Sequence, residues 1–234
     1  MKVSIIIPVY NEEKTVADVI AVVKSSVKKQ NLNAEIVVVN DGSQDASAEI
    51  LRSVEGIVFI DQKVNQGKGA AVKAGFKAAT GDILLIQDAD LEYDPQDYSA
   101  VIAPIVQGQS PVVMGSRFIH EKLIFWGTNK SPYFTHYIGN KAIVWLTNFL
   151  YRFNATDYEG CYKAFSKPVI DSIPIRSNGF EFDNELICKI LKRKIKIVEV
   201  PIHYLPRSYE NGKKITWKHG LKMLWTILKF RLVD

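Results

Sequence analysis

Val3-Ser-Ile-Ile-Ile-Pro-Val-Tyr-Asn-Glu-Glu13 sets the pattern from which the fold is read. Val3 to Val9 is apolar apart from one serine, and Tyr10, Asn11, Glu12 and Glu13 then turn polar at once. A short apolar run of this kind reads as a buried strand. Asn11 suits a helix N-cap, and Glu12 and Glu13 suit the first turn of a helix carrying Val16, Val19, Ile20 and Val23 on one face.

The same grammar recurs along the first half. Glu35-Ile-Val-Val-Val39 precedes Asn40-Asp-Gly-Ser43 and a helix through Ala48, Ile50 and Leu51. Gly56-Ile-Val-Phe-Ile60 is a third strand, and Gly67-Lys-Gly69 opens a helix through Ala71, Val72, Ala74 and Phe76. Asp82-Ile-Leu-Leu-Ile86 is a fourth strand ending in Gln87-Asp-Ala-Asp90, after which Asp94-Pro95 reads as an N-cap with proline at the first helical position. Strand alternating with helix predicts an α/β fold with a mostly parallel central sheet flanked by helices. Ligands of such sheets bind beyond the carboxyl ends of the strands, so three polar loops are expected at one cleft.

After about residue 115 the pattern loosens. Residues 118–137 hold Phe118, Phe125, Trp126, Tyr133, Phe134 and Tyr137 with little periodicity. Helices are predicted over Gly139–Tyr151, from Phe180-Glu-Phe-Asp183 through Leu191, and over Trp217–Leu232, with a last strand at Ile195–Val200. No internal repeat or linker divides residues 1–234, which read as one continuous domain.

Apolar residues make up 47% and charged residues 24% of the 234, ordinary globular values that exclude collagen, low-complexity repeats and wholesale disorder. Thirty basic against twenty-five acidic side chains give a net charge of +5, which suits anionic ligands or headgroups. No aromatic-interleaved basic stripe accompanies it, so nucleic acid is not an expected partner. Cys161 and Cys188 alone supply no disulfide framework or cysteine-rich zinc site, which points to a reducing cytoplasm. The histidines at 120, 136, 203 and 219 have no metal-ligand spacing. Val3–Val9 is too short for a signal peptide, and Lys222, Lys229 and Arg231 interrupt the stretch from Leu221 to Val233.

Asp88, Asp90, Glu92 and Asp94 crowd four carboxylates at one strand end. They repel one another unless a cation intervenes, and they offer hard oxygen ligands to Mg²⁺ or Mn²⁺. The bland alternative is a solvated acidic turn. Glu12 and Asp41 suit donors of a nucleoside, with Pro8 and Tyr10 as an apolar wall, although each alone also reads as a turn or first-turn acid. Gly67-Lys-Gly69 completes neither a P-loop nor a G-x-G-x-x-G fingerprint, since Val72 stands where a third glycine belongs. It is read as a helix N-terminus approaching a ligand closely, with Lys68 at hand. Arg117, Arg207, Lys213 and Lys214 could stabilise a leaving group that gathers negative charge, or simply form solvated basic loops.

Pro8-Val-Tyr-Asn-Glu12, Asn40-Asp-Gly-Ser43 with Asp45, Asp88-Ala-Asp90 and Gly115-Ser-Arg117, in that order and spacing, resemble glycosyltransferase family 2 over roughly residues 1 to 210. The branch most resembled is that of the polyprenyl-phosphate glycosyltransferases, including dolichyl-phosphate mannose synthases. The resemblance implies a GT-A fold and a single inverting transfer of sugar from a nucleotide-diphosphate donor, a UDP- or GDP-sugar, with Mg²⁺ or Mn²⁺ on the diphosphate. It implies that Pro8, Tyr10, Glu12, Asp41 and Lys68 line the nucleoside-diphosphate pocket together with Asp88, Ala89 and Asp90. Asp88 and Asp90 would hold the metal with Glu92 as a further ligand, and Arg117 and Arg207 would face phosphates. Residues 1–117 would then bind the nucleotide sugar, 118–210 the acceptor, and 211–234 form a basic loop and an amphipathic helix. Asp157-Tyr-Glu-Gly-Cys-Tyr-Lys163 matches the family's acidic segment beside the sugar, and residues 206–215 a loop that closes over the site.

Asn40 replaces a common Asp, Glu92 replaces the Gln of mannose synthases, and residues 118–137 lack their glycine-rich acceptor loop. The implied acceptor is a polyprenyl (undecaprenyl or dolichyl) phosphate, which arrives anionic and needs no protein base. The alternative is a saccharide hydroxyl in cell-surface polysaccharide synthesis, with Asp157 as base and Glu159 second. A non-catalytic nucleotide-sugar binder is the third possibility. Trp217, Leu221, Leu224, Trp225, Leu228 and Leu232 share one face of the last helix beside Lys218, Lys222 and Lys229. That face fits either packing on the domain or a membrane surface, the latter making a cytoplasmic enzyme peripheral on the inner face of the membrane.

Overall fold

The structure, a computed structural model, describes residues 1–119, 134–205 and 217–233. Seven strands form one sheet in the order β3-β2-β1-β4-β6-β5-β7. They are β1 (Val3–Val9), β2 (Ala34–Asp41), β3 (Val58–Gln62), β4 (Ile83–Ile86), β5 (Val112–Ser116), β6 (Lys163–Ser166) and β7 (Ile197–Pro201). The helices are α1 (Val16–Lys29), α2 (Ser47–Arg52), α3 (Lys68–Ala78), α4 (Tyr98–Val106), α5 (Phe134–Tyr151), α6 (Lys167–Ser172), α7 (Phe182–Lys192) and α8 (Trp217–Leu232).

β1 lies centrally, parallel to β2 on one side and β4 on the other. Ile5, Ile6 and Ile7 are all fully buried, so both faces of the strand are covered and no alternation appears in its sequence. Each such side chain contributes about 1.5–3 kcal/mol of burial free energy, which fixes the centre of the sheet. Val16, Val19, Ile20 and Val23 of α1 are buried at helical spacing, while Asp18 and Lys28 and Lys29 sit at the ends that match the helix dipole.

The predicted parallel sheet holds with one reversal. β2–β3 and β5–β7 are also parallel, but β6 runs antiparallel to both β4 and β5. Lys163, the first residue of β6, therefore sits level with Met114 near the C-terminal end of β5. One reversed strand thus brings the start of a segment, rather than its end, to the edge where β1, β2 and β4 finish. Asp94 accepts a hydrogen bond from the Gln96 amide at 2.9 Å, the N-cap expected there, and a 3₁₀ turn over Pro95–Asp97 leads into α4. The helix expected from Gly139 begins earlier, at Phe134, and the third strand lies two residues later than read.

Candidate active site at the carboxyl edge of the sheet

The loops after β1 and β2 are laced together. Backbone amides of Asn11, Glu12 and Glu13 donate to Ser43 Oγ, Ser47 Oγ and Asp45 Oδ2 at 2.9–3.0 Å. In return Gln44 N donates to Asn11 Oδ1 at 2.8 Å and Ala46 N to Glu13 Oε2 at 3.0 Å. Asn11 has φ 49°, a left-handed conformation asparagine tolerates, so it is a turn residue joining two loops and not the cap of α1. The cap position falls to Thr15. Pro8 and Tyr10 are half-buried at the end of β1.

Asp41 is buried at the end of β2, and its carboxylate accepts from Gln66 N and Gly67 N, both at 2.8 Å, and from Asn65 Nδ2 at 3.1 Å. Burial pushes its pKa up against these bonds. Asp41 thus moors the entrance of α3. Gly67 has φ 100°, and a Cβ there would lie 2.5 Å from the Asn178 carbonyl oxygen; one on Gly69 would lie 2.6 Å from Phe182 Cβ. The close approach expected of Gly67-Lys-Gly69 is therefore to the chain's own segment 177–182, with Ala70 N donating to Asn178 O at 3.1 Å.

Lys68 reaches the tip of β4, with Nζ 2.6 Å from Asp88 Oδ1. Burial disfavours its charge, but Asp88 holds the ammonium above the ordinary lysine value. Burial likewise pushes Asp88 up, and Lys68 brings it below the usual carboxylate range. Gln87 fixes the tip from beneath, its Oε1 accepting from Tyr98 and Tyr162 hydroxyls at 2.6 and 2.8 Å. Thr15 Oγ1 donates to the carbonyl of buried Ala89 at 2.7 Å and lies 3.2 Å from Glu12 Oε2. Glu12, Asp41 and Asp88-Ala-Asp90 lie at one edge of the sheet, as the strand grammar predicts, with Lys68 beside Asp88.

Asp90 Oδ1 accepts from Glu92 N at 3.2 Å. Glu92 turns toward Tyr204, whose hydroxyl it engages, while its carbonyl accepts from Leu205 N at 2.8 Å. Among the described residues no three His, Cys, Asp or Glu side chains form a group that could hold a metal. The expected trio of Asp88, Asp90 and Glu92 is therefore not a preformed cage. Asp88 and Asp90 remain hard oxygen donors at an open edge, the donor chemistry of a cation completed by ligand oxygens and water.

Arg117, just past β5, is buried and forms a two-point ion pair with buried Asp157. Its guanidinium lies 5.3 Å from the Phe118 ring centroid and 5.0 Å from that of Tyr204. Asp157 Oδ2 accepts from Arg117 Nε and N, and Oδ1 from Arg117 Nη2 and Glu159 N. Burial raises the pKa of Asp157, but Arg117 brings it below the usual carboxylate range. Both oxygens serve Arg117 and the local backbone, which is poor geometry for a general base.

The sequence reading gave no individual role to three residues behind Asp88, namely Lys163, Asp183 and Asn184. Lys163 is 1% exposed, donates to Gly160 O at 2.5 Å, and lies 3.5 Å from Asp183 Oδ2. Asn184 Nδ2 donates to Glu159 Oε1 at 2.8 Å. Burial raises both Glu159 and Asp183, against the pull of Lys163. A sequence signal existed in Phe180-Glu-Phe-Asp183, but acids in a first turn ordinarily answer the helix dipole alone. Arg207, Lys213 and Lys214 lie outside the described residues.

The family model described as glycosyl transferase family 2 matches residues 4–173. The chain belongs to glycosyl transferase family 2. Among family 2 relatives is the UDP-N-acetylglucosamine–dolichyl-phosphate N-acetylglucosaminyltransferase of Methanococcus voltae, 28% identical over 249 positions covering 97% of this chain and 95% of that protein. The dolichol-phosphate mannosyltransferase of Pyrococcus furiosus is 32% identical over 218 positions, covering 91% of this chain but 59% of its own length. Glucosyl-3-phosphoglycerate synthase of Mycobacterium tuberculosis, solved with Mn²⁺, UDP and phosphoglyceric acid, superposes with a TM-score of 0.74 at 18% identity, over 100% of this chain and 79% of that one. The fold is thus GT-A, and this family 2 protein is a nucleotide-sugar glycosyltransferase.

Proposed function

We propose that this glycosyltransferase moves a single sugar, with inversion, from a nucleotide-diphosphate donor to a polyprenyl phosphate. The convergence of Glu12, Asp41, Lys68 and Asp88-Ala-Asp90 on one edge carries the donor half of this reading. The dolichyl-phosphate acceptors in the names of its relatives support the other half. Asp88 and Asp90 would hold a divalent cation, Mg²⁺ or Mn²⁺, which would supply positive charge to a diphosphate leaving group. Lys68 adds a fixed positive charge at the same place. Pro8 and Tyr10 would face the base, and Arg117 and Arg207 phosphates of donor or acceptor. Asp157 then acts as the holder of Arg117. A phosphate acceptor brings its own negative oxygen, so the reaction asks nothing of Asp157 as a base, in keeping with the four bonds it already accepts.

α8 supports a membrane-facing role by splitting its faces. Met223, Ile227 and Phe230 are buried against the domain, and Tyr151 of α5 donates its hydroxyl to Ile227 O at 3.0 Å. Leu221, Trp225, Leu228 and Leu232 remain exposed while Leu224 of the predicted stripe packs partly on the core, so most of that stripe lies away from the packed side of the helix. α5 adds Trp145 and Phe149, 67% and 68% exposed and stacked with centroids 5.7 Å apart. Among the described residues no helix is long and apolar enough to cross a membrane. An exposed aromatic and apolar surface edged by Lys218, Lys222 and Lys229 suits a peripheral enzyme reaching a lipid-borne phosphate on the inner face of a membrane.

The decisive assay offers UDP-N-acetylglucosamine or GDP-mannose, radiolabelled in the sugar, with Mn²⁺ and vesicles carrying undecaprenyl or dolichyl phosphate. Label is expected in the organic-extractable lipid, and Asp90→Ala is expected to abolish it. Transfer only to water-soluble saccharide acceptors would overturn the lipid acceptor, and binding without any turnover would leave a nucleotide-sugar binder.

A further inference from the structure

We infer that the first turn of α7 completes a sugar-recognition subsite in which Asp183 and Asn184 accept hydrogen bonds from O–H or N–H groups of the transferred sugar. This rests on the donor reading above and deepens it. Asp183 Oδ1 and Asn184 Oδ1 are buried acceptors with no hydrogen-bond partner among the described residues. Buried polar atoms are nearly always paired, and two adjacent orphans of the same sign mark a place where a ligand's donors belong.

The other half of each side chain is already committed. Lys163 sits 3.5 Å from Asp183 Oδ2, and Asn184 gives its Nδ2 to Glu159. Only the amide nitrogen can donate to that carboxylate, so the orientation of Asn184 is settled and its oxygen is the atom left over. Buried Lys163 and half-buried Glu159 hold both side chains in place, and α7 itself is pressed against α3 where Gly69 meets Phe182.

The location and the sign of the groups select the ligand. Phe182 packs where Gly69 passes, and Lys68, which holds Asp88 at 2.6 Å, lies 6.0 Å from the Phe180 ring centroid, so the subsite adjoins the carboxylates proposed to hold the diphosphate. The diphosphate of a nucleotide sugar, a diester, has only acceptors and would meet repulsion from Asp183 and Glu159. A hexose presents several hydroxyl donors, or an amide N–H if it is N-acetylated, and matches a surface built of acceptors. Asp183 and Asn184 are thereby assigned to the sugar, one step beyond the diphosphate.

The test uses the full chain, Asn184→Ala and Asp183→Ala, each checked for folding by circular dichroism. Calorimetric titration with Mn²⁺ compares UDP with UDP-N-acetylglucosamine and GDP with GDP-mannose. Both variants should keep nucleoside diphosphate affinity within about twofold while nucleotide-sugar affinity falls about tenfold or more. Deoxy-sugar donors supply a readout that a purely structural role would not move. A hydroxyl whose removal weakens binding to the wild type should matter little in the variant lacking its acceptor. Equal losses for nucleotide and nucleotide sugar, or no loss in either, would overturn the assignment. If only one variant folds, it decides. If neither folds, the two side chains serve the fold and the inference fails. A wild type that binds none of the four compounds sinks the donor reading itself, a different result from any of these.

Discussion

Asp157 grips Arg117 through both carboxylate oxygens, Oδ2 to Nε at 2.7 Å and Oδ1 to Nη2 at 3.0 Å, with both residues buried. Cutting one side of such a pair leaves an uncompensated charge out of water. Asp157→Asn should lose about 3–5 kcal/mol of stability in urea denaturation. Arg117→Met should lose a similar amount, and the double variant less than the sum. A base with no structural duty would give an Asn variant as stable as the wild type and merely inactive.

Acid should unfold the protein through Glu35. This carboxylate accepts from Lys2 Nζ at 2.6 Å and from Thr80 N and Oγ1 at 2.6 and 2.8 Å. Burial pushes its pKa up, but Lys2, Ser4 and Thr80 bring it down from 4.5 to about 2. A depressed folded pKa stabilises fully above the unfolded value, and that stability drains away as pH falls from about 4.5 toward 2. Glu35→Gln should cost roughly 1–2 kcal/mol at neutral pH, allowing for partial exposure, and flatten the acid limb of a melting-temperature profile.

Gly67→Ala is expected to destabilise by about 1–3 kcal/mol, because it pairs a φ of 100° with a methyl group 2.5 Å from the Asn178 oxygen. Thermal unfolding measures this directly. A glycine conserving space for phosphate alone would tolerate alanine until ligand is added.

The exposed face of α5 and α8 makes a prediction in which binding and stability part company. Trp145→Ser and Trp225→Ser change side chains 67% and 65% exposed, so melting temperature should hardly move. Flotation with anionic vesicles should fall severalfold for each and further for both. Unchanged flotation would remove the membrane from the proposal.

The edge proposed to take the donor was legible because each strand there is a largely apolar run and each ends in residues unlike it. Glu12, Asp41 and Asp88-Ala-Asp90 could be assigned to one cleft by parallel-sheet geometry alone. β6 was not legible: Lys163-Ala-Phe-Ser166 is too short for a period and begins with a lysine that only a buried carbonyl and carboxylate explain. Asn11 was misread because the small polar side chain that favours a cap also favours a left-handed turn. The glycines of α3 were ascribed to a ligand because close approach looks alike in sequence whether the neighbour is a ligand or residues 177–182. Asp183 and Asn184 were given no individual role because their significance lies in what fails to bond them, which no local pattern records.

The lacing of residues 11–13 to residues 43–47 bears on how a donor is captured. Five hydrogen bonds across two loops mean that the chain has already surrendered its freedom there during folding. A nucleoside bound at that wall, as proposed, would have little disorder to quench, so its contacts would go undiminished into affinity. Loosening the seam at Ser43 or Ser47 would therefore weaken capture without touching any atom that meets the base.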